Sequence, residues 1–186
     1  MDLMVDIETL GTELDSVVQS VGLVMFEPTS GKIGETLHIK FDIKDQVKNH
    51  KRVIYPSTLL WWLGQNIDTF KKSLDGKAKF IWGVVKIITF IQVQKPVRLW
   101  GNSASFDLGI LAHMIKSSSL ELPWMFWQEC CYRTIKATHN DLVPTTISNP
   151  DAHDALSDAV FQAKRLSEIM MYILNIGEHG KTKKRK

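Results

Sequence analysis

An acidic pair set in an apolar strand near the N-terminus restricts the fold more than any other feature. Residues 3–8 read Leu-Met-Val-Asp-Ile-Glu, and this alternation predicts a β-strand. Side chains two residues apart on a strand lie on one face, so Asp6 and Glu8 are expected to share a site. Partly buried carboxylates repel each other at a cost on the order of several kcal/mol, so this fold must bring compensating charge to the strand.

The remaining pattern predicts an α/β protein with a mixed central β-sheet flanked by helices, as in the ribonuclease H-like fold. No linker or repeat is visible, so we expect one domain at 1–176 and a basic, disordered tail at 177–186. Gly177 and Gly180 are expected to end the last helix. The predicted elements are strands at 17–26 and 35–43, a short helix opened by Pro56, a helix at 78–93, a strand at 97–100, a helix at 104–116, a strand at 124–131 and a helix from about 155 to 174.

The charge is unevenly distributed along the chain. The formal net charge is +3, but residues 181–186 hold five basic groups and no acid. The other 180 residues therefore carry a balance of −2. A slightly acidic body is not typical of a nucleic-acid-binding protein, unless several of its carboxylates bind divalent cations that reverse the local sign.

Cysteine use and hydropathy indicate a chain built for a reducing compartment. The only cysteines, Cys130 and Cys131, are adjacent, and neighbours in sequence rarely form a disulfide. The longest apolar stretch, 80–93, is interrupted by Lys86 and Gln92 and falls short of the roughly 18 to 20 residues that span a bilayer. The N-terminus lacks the basic region of a signal peptide, so a cytoplasmic location is expected.

Two further acids and a histidine complete a candidate metal site. Asp107 follows the strand at 97–100, and Asp158 lies on the last helix, five residues after His153. Hard divalent cations such as Mg²⁺ and Mn²⁺ prefer oxygen ligands, and two of them can promote phosphodiester cleavage. His153 is predicted on the loop before the helix, where a neutral imidazole can act as a general base.

Three segments together resemble the DEDD superfamily of 3′-5′ exonucleases, in the form whose third motif carries a histidine. Val-Asp-Ile-Glu-Thr-Leu-Gly at 5–11 resembles the first motif, and Ser-Phe-Asp at 105–107 resembles the second. His-Asp-Ala-Leu-Ser-Asp-Ala at 153–159 resembles the third. Leu-Trp-Trp-Leu at 60–63 and Trp-Gly-Asn at 100–102 add a closer likeness to the compact exonuclease A type of phages and its bacterial relatives.

The resemblance implies a metal-dependent enzyme that releases 5′-mononucleotides from single-stranded DNA or RNA 3′ ends, with His153 as general base. It implies two divalent cations, Mg²⁺ or Mn²⁺, one of them held tightly and the other held by Asp6 with Asp107. It further implies a bacterial or phage-encoded protein. The tightly held ion would be bound by Asp6, Glu8 and Asp158. The terminal nucleotide would contact Thr9, Leu10 and Phe106.

Several alternatives remain open at this point. The same fold could cut internally, could serve as a non-catalytic module that binds nucleic acid or protein, or could form a homodimeric RNA trimmer. Asp151 and Asp154 are interpreted as helix-start residues rather than ligands. Trp61 and Trp62 would point about 100° apart on a helix, so one is expected in the core. No motif reports contacts to the sugar 2′ position, so the choice between DNA and RNA stays open.

Overall fold

A five-stranded mixed sheet forms the centre of the protein. The computed structural model describes residues 1–149 and 151–183, with side chains as far as residue 175. The strand order is β3-β2-β1-β4-β5; β1, β2 and β3 are antiparallel neighbours, whereas β4 and β5 run parallel to β1. The strands are β1 (Asp2–Thr9), β2 (Val18–Phe26), β3 (Ile33–Lys40), β4 (Leu99–Gly101) and β5 (Glu129–Cys131). The predicted fold class, a mixed sheet flanked by helices, is confirmed.

Seven helices surround this sheet in the described part of the chain. Helices α4 and α5 pack on one face of the sheet. Helix α7 packs on the other face, together with Tyr132, the first residue of α6. No helix among the described residues is both long and apolar enough to cross a bilayer. The helices are α1 (Ile43–His50), α2 (Pro56–Leu63), α3 (Ile67–Ser73), α4 (Phe80–Gln94), α5 (Gly109–Ser117), α6 (Tyr132–His139) and α7 (Ala155–Lys183).

The alternation of strand β1 sorts its side chains between the two faces. Leu3, Val5 and Ile7 are buried in the core under α4 and α5. Met4 points the other way and packs with Ala159, Ala163 and Leu166 of α7. Burying each such aliphatic side chain contributes about 1.5–3 kcal/mol. The same alternation turns the acids of β1 towards α7.

Glycine at position 22 allows α7 to approach the sheet at the point where these acids lie. Gly22 of β2 pairs with Asp6 of β1. A Cβ atom at Gly22 would lie 2.2 Å from the carbonyl oxygen of Ala155, the first residue of α7. Any larger residue would therefore push the N-terminus of α7 away from the strand that carries the acidic pair.

Helices α2 and α3 form a small additional core at the end of β1. Trp62 of α2 and Phe70 of α3 stack with ring centroids 5.4 Å apart and bury Leu10 and Val17. Trp62 is 1% exposed and Trp61 is 47% exposed, which confirms that one tryptophan of the pair lies in the core. This core fixes α2 beside the strand end that holds the acids.

The structure corrects several predicted boundaries. The third strand ends at Lys40, because Asp42 caps α1 by accepting the N–H of Asp45. Three short helices were not predicted: α1, α3 and α6. The predicted helix at 104–116 begins as a π-helical turn, Ala104–Leu108, and the predicted strand at 124–131 is reduced to β5. Helix α7 continues through Gly177 and Gly180 to Lys183, so the prediction that these glycines end the helix is wrong. The division into a domain at 1–176 and a disordered tail at 177–186 stays a prediction. Residues 184–186 of the tail lie outside the described residues.

Candidate active site

The four predicted acids come from three elements that meet at one edge of the sheet. Asp6 and Glu8 lie towards the C-terminal end of β1, and Asp107 lies in the π-helical turn that follows the parallel strand β4. The carboxyl ends of parallel strands reach the same edge of a sheet, which brings the two elements together. Asp158 lies in the first turn of α7, which packs over β1 and β2.

Burial and mutual repulsion outweigh the nearby positive charge at these acids. Burial raises the pKa of Asp6 well above its ordinary value, and the charges of Asp107, Glu8 and Asp158 raise it further. Burial and then Asp158 raise the pKa of Glu8 to about 8. Burial raises the pKa of Asp107 to about 6, although hydrogen bonds and Arg133 oppose the shift. The carboxylates therefore destabilise one another when all are ionised, and a bound cation would relieve that repulsion.

The donor atoms fit a divalent cation. Glu8, His153 and Asp158 each offer one atom, and the three atoms lie within 4.8 Å of one another. The carboxylate oxygens suit Mg²⁺ or Mn²⁺, and an imidazole nitrogen suits Zn²⁺. Asp6 and Asp107 lie outside this close group, but the charge of Asp107 raises the pKa of Glu8 and of Asp6, and the charge of Glu8 raises the pKa of Asp6.

Three of the four acids accept hydrogen bonds from their surroundings. Gln162 of α7 donates its side-chain amide to Asp6 Oδ1 at 2.6 Å. The backbone N–H of Ser103 donates to Asp107 Oδ2 at 2.9 Å. Both oxygens of Asp158 accept: Oδ2 from the backbone N–H of His153 at 2.8 Å, and Oδ1 from the side-chain amide of Asn149. These three carboxylates are therefore oriented by the protein itself.

His153 is fixed between helix α2 and the start of α7. Its backbone is left-handed, with φ of 69°, a conformation that costs about 1 kcal/mol or more outside glycine. Its ring contacts Trp61 and Trp62 edge-to-face, with centroid distances of 5.3 and 5.7 Å. Trp62 Nε1 in turn donates to the carbonyl oxygen of Thr9 at 2.9 Å. One tryptophan therefore links the imidazole to the strand that carries the acidic pair.

An open cavity of about 420 Å³ adjoins the acids on the side of α2. Glu8 and Thr9 contribute to its wall, opposite ring surfaces from Trp61 and Phe106 and hydroxyls from α2. A volume of this order accommodates a small-molecule ligand, and a nucleotide is of that size. Of the predicted substrate contacts, Thr9 and Phe106 line this cavity. The Leu10 side chain instead packs in the small core with Trp62 and is 2% exposed.

Sequence reasoning missed three residues of the site. Gln162 lies one helical turn after Asp158, so the i, i+4 spacing could have identified it. One of Trp61 and Trp62 was expected in the core, and nothing in the sequence indicated the contact of Trp62 with His153. Asn149 carries no sequence signal, because its contact with Asp158 depends on how the segment before α7 folds back. The rival acid Asp154 caps α7, as predicted, by accepting the N–H of Ser157 at 3.0 Å.

Comparisons with known proteins find similarity to exonucleases. Residues 1–170 match the family described as the 3′-5′ exoribonuclease Rv2179c-like domain. The chain is 26% identical over 210 residues to an exodeoxyribonuclease of Enterobacteria phage T4, covering 94% of this chain and 91% of the relative. A zinc-bound form of the E. coli exonuclease I complex with single-stranded DNA superposes with a TM-score of 0.68 at 14% identity.

A second exonuclease I structure gives a TM-score of 0.65 at 15% identity, over 90% of this chain. In both superpositions the chain spans only about two fifths of exonuclease I, 39% and 40% of its length. At these identities the likeness to exonuclease I concerns the fold.

Proposed function

Because the chain belongs to the family of Rv2179c-like 3′-5′ exoribonuclease domains, we propose that it hydrolyses single-stranded nucleic acid from the 3′ end and releases 5′-mononucleotides. The protein is a 3′-5′ exonuclease of the DEDD superfamily. One observation carries the finer proposal: four carboxylates, of which Asp6 and Asp107 are buried, gather with His153 beside a nucleotide-sized cavity that Glu8 lines. The assignment to the subgroup whose third motif carries a histidine, and the catalytic role of His153, are part of this proposal.

The acids are proposed to bind two divalent cations, Mg²⁺ or Mn²⁺. Asp6, Glu8 and Asp158 would hold one ion, and Asp6 with Asp107 would hold the other. Bound there, the ions supply Lewis-acid chemistry that offsets the carboxylate repulsion and stabilises negative charge on the phosphodiester. The raised pKa values of Glu8 and Asp107 support this assignment, because a cation would return both groups to their ionised form.

His153 is proposed as the general base. A ring nitrogen of His153 accepts a proton from the attacking water, whose oxygen bonds to phosphorus as the bond to the 3′ oxygen of the preceding nucleotide breaks. The leaving oxygen takes its proton from solvent. The edge-to-face contacts with Trp61 and Trp62 and the backbone hydrogen bond to Asp158 hold the imidazole beside Glu8 and Asp158, where the water must be.

The cavity beside α2 is proposed to receive the 3′-terminal nucleotide. The half-exposed ring of Trp61 and the ring of Phe106 offer faces on which a base could stack, worth about 1–3 kcal/mol per stacked base. The family is described by action on RNA and the phage relative by action on DNA, so both substrates enter the test.

The deciding experiment follows 5′-labelled single-stranded DNA and RNA oligonucleotides with Mg²⁺, Mn²⁺ or EDTA, using the wild type and Asp6→Asn. We expect ladders that shorten from the 3′ end, that require metal and that disappear in the variant. The faster substrate identifies the preferred sugar. Intact oligonucleotides under every metal condition would overturn the proposal.

A further inference from the structure

A second cavity lies next to His153. It is separate from the cavity beside α2 that is proposed to receive the 3′-terminal nucleotide, which we call the nucleotide pocket. Its volume is about 330 Å³, and we call it the lysine groove. His153 lines the groove, and its ring contacts Trp61 and Trp62, which line the nucleotide pocket. His153 therefore lies between the groove and the two tryptophans of the other cavity. The groove is defined by Ser20, Lys40, Thr69, Lys72, His153 and Ser157.

The groove is bordered by the most basic segment of the described chain. Residues 40–79 hold nine lysines and arginines and four acids, whereas residues 1–39 hold one basic residue and seven acids. The positive charge therefore lies in β3's last residue and in the α1–α3 region, next to the acidic site. Such a distribution attracts a polyanion towards the edge of an otherwise acidic centre.

Lys72 is the cation of the groove that is free to bind an anion. Its side chain is exposed, and no described carboxylate lies within 4 Å of its ammonium group. Lys40 is already engaged, because its Nζ lies 3.0 Å from the carbonyl oxygen of Lys72 and 3.4 Å from Asp75.

Of the two acids that line the groove, Asp154 is occupied. One of its oxygens caps α7 through the N–H of Ser157, and the other lies 3.9 Å from His38. Asp151 is exposed, and its backbone N–H donates to Asn149. Among the described residues, Asp151 is therefore the one acid of the groove that has no cation within 4 Å. Lys72 lines the same groove.

We propose that the lysine groove binds the sugar–phosphate backbone on the 5′ side of the scissile bond, with Lys72 contacting a phosphate. This rests on the proposed function. A strand whose terminal nucleotide fills the pocket beside Trp61 places its scissile phosphate at His153 and the carboxylates. The preceding nucleotides must then continue beyond His153, and the groove is the cavity that begins there. The hydroxyl of Thr69 adds a donor for a phosphate oxygen.

Adjacent lysines on α3 provide a matched pair of variants. Lys71 and Lys72 are both exposed, but only Lys72 lines the groove. We compare Lys72→Glu and Lys71→Glu on a 12-nucleotide single strand and on the p-nitrophenyl ester of thymidine 5′-monophosphate, which fills only the terminal pocket. Lys72→Glu should raise KM for the 12-mer about tenfold and leave kcat/KM for the ester within about twofold. Lys71→Glu should change neither value by more than about twofold.

A neutral variant and a conservative one sharpen the result. Lys72→Ala should lower the slope of log KM against log salt concentration by about 1, whereas Lys72→Arg should keep it. Equal KM values of the Lys71→Glu and Lys72→Glu variants on the 12-mer would overturn strand binding in the lysine groove, whereas the proposed exonuclease activity would still stand. If the wild type cleaves neither substrate, the proposed function falls. In that case, fluorescence anisotropy of the 12-mer tests strand binding in the lysine groove. Weaker binding by Lys72→Glu than by Lys71→Glu supports it, and equal binding overturns it.

Discussion

The two faces of strand β1 differ in what they bury. On the face under α4 and α5, Leu3, Val5 and Ile7 lie in an apolar core. On the face under α7, Met4 is followed by Asp6, which is 8% exposed and whose pKa burial raises well above its ordinary value. Strand β1 therefore stabilises the fold through the apolar side chains of one face, and it carries the destabilising charges of Asp6 and Glu8 on the other face. The comparison teaches that the face with the proposed ion site is itself destabilising and depends on the stability that the apolar face supplies.

The sharpest way to separate the two faces is to change one residue on each. Asp6→Asn should lower kcat about a thousandfold or more, because it removes an ion-binding oxygen, yet should not destabilise the fold, because it removes a buried charge. Leu3→Ala should cost about 2–5 kcal/mol of unfolding free energy and leave kcat per folded molecule unchanged. Urea unfolding and single-turnover kinetics check both. A stable, inactive Leu3→Ala would contradict the division of roles.

A change at the contact between β2 and α7 should damage both faces at once. In Gly22→Ala the new Cβ would collide with the Ala155 carbonyl, so α7 must shift and carry Asp158 with it. We expect about 1–3 kcal/mol of destabilisation and a loss of activity on the order of a hundredfold. Gly34→Ala is the control, because its Cβ would come under 3.0 Å only of the flexible end of Met1, at 2.7 Å, with the Cβ of Met25 at 3.3 Å. Similar melting temperatures and activities for the two variants would argue against this role of Gly22.

The pH dependence of the metal-free protein should report the charge on the acidic face. Folding raises the pKa of Glu8 from 4.5 to about 8, so the folded state retains a proton that the unfolded state releases. The stabilising contribution of that proton is complete below pH 4.5 and is lost as the pH rises through 8.

Thermal melts in EDTA between pH 5 and 9 test this expectation. The melting temperature of the wild type should fall over that range relative to Glu8→Gln, by several degrees. Mn²⁺ should reverse the fall at the alkaline end in the wild type but less so in the variant. Parallel curves for the two proteins would show that Glu8 does not hold the proton.

The smallest expected effect concerns the residues that orient the acids. Asn149→Ala removes the amide that donates to Asp158, and loss of such an outer hydrogen bond weakens ion binding about tenfold. Titration calorimetry with Mn²⁺ measures the change without relying on turnover. Ser148→Ala, the neighbouring substitution, serves as the matched control and should bind Mn²⁺ like the wild type. Unchanged affinity in Asn149→Ala would assign that contact to the fold alone.

Much of the site could be anticipated because its signals are local. The alternation at 3–8 placed Asp6 and Glu8 on one face, and the helix start at Ala155 left His153 on a loop, as the structure shows. Both features depend on residues within one turn or one strand. Short helices such as α3 were missed, because seven residues carry too little periodicity and are stabilised by packing on Trp62.

The sequence by itself determined the α/β class, the acidic pair on one strand face, the acids of the second and third motifs, and the superfamily. Only the tertiary structure decided that Gln162 holds Asp6, 156 residues away, that Trp62 joins His153 to Thr9, and that Leu10 is buried. The physical reason is the distance along the sequence over which each interaction acts. Strand and helix periods are set by neighbouring backbone sterics, whereas these contacts exist only after distant segments have packed together.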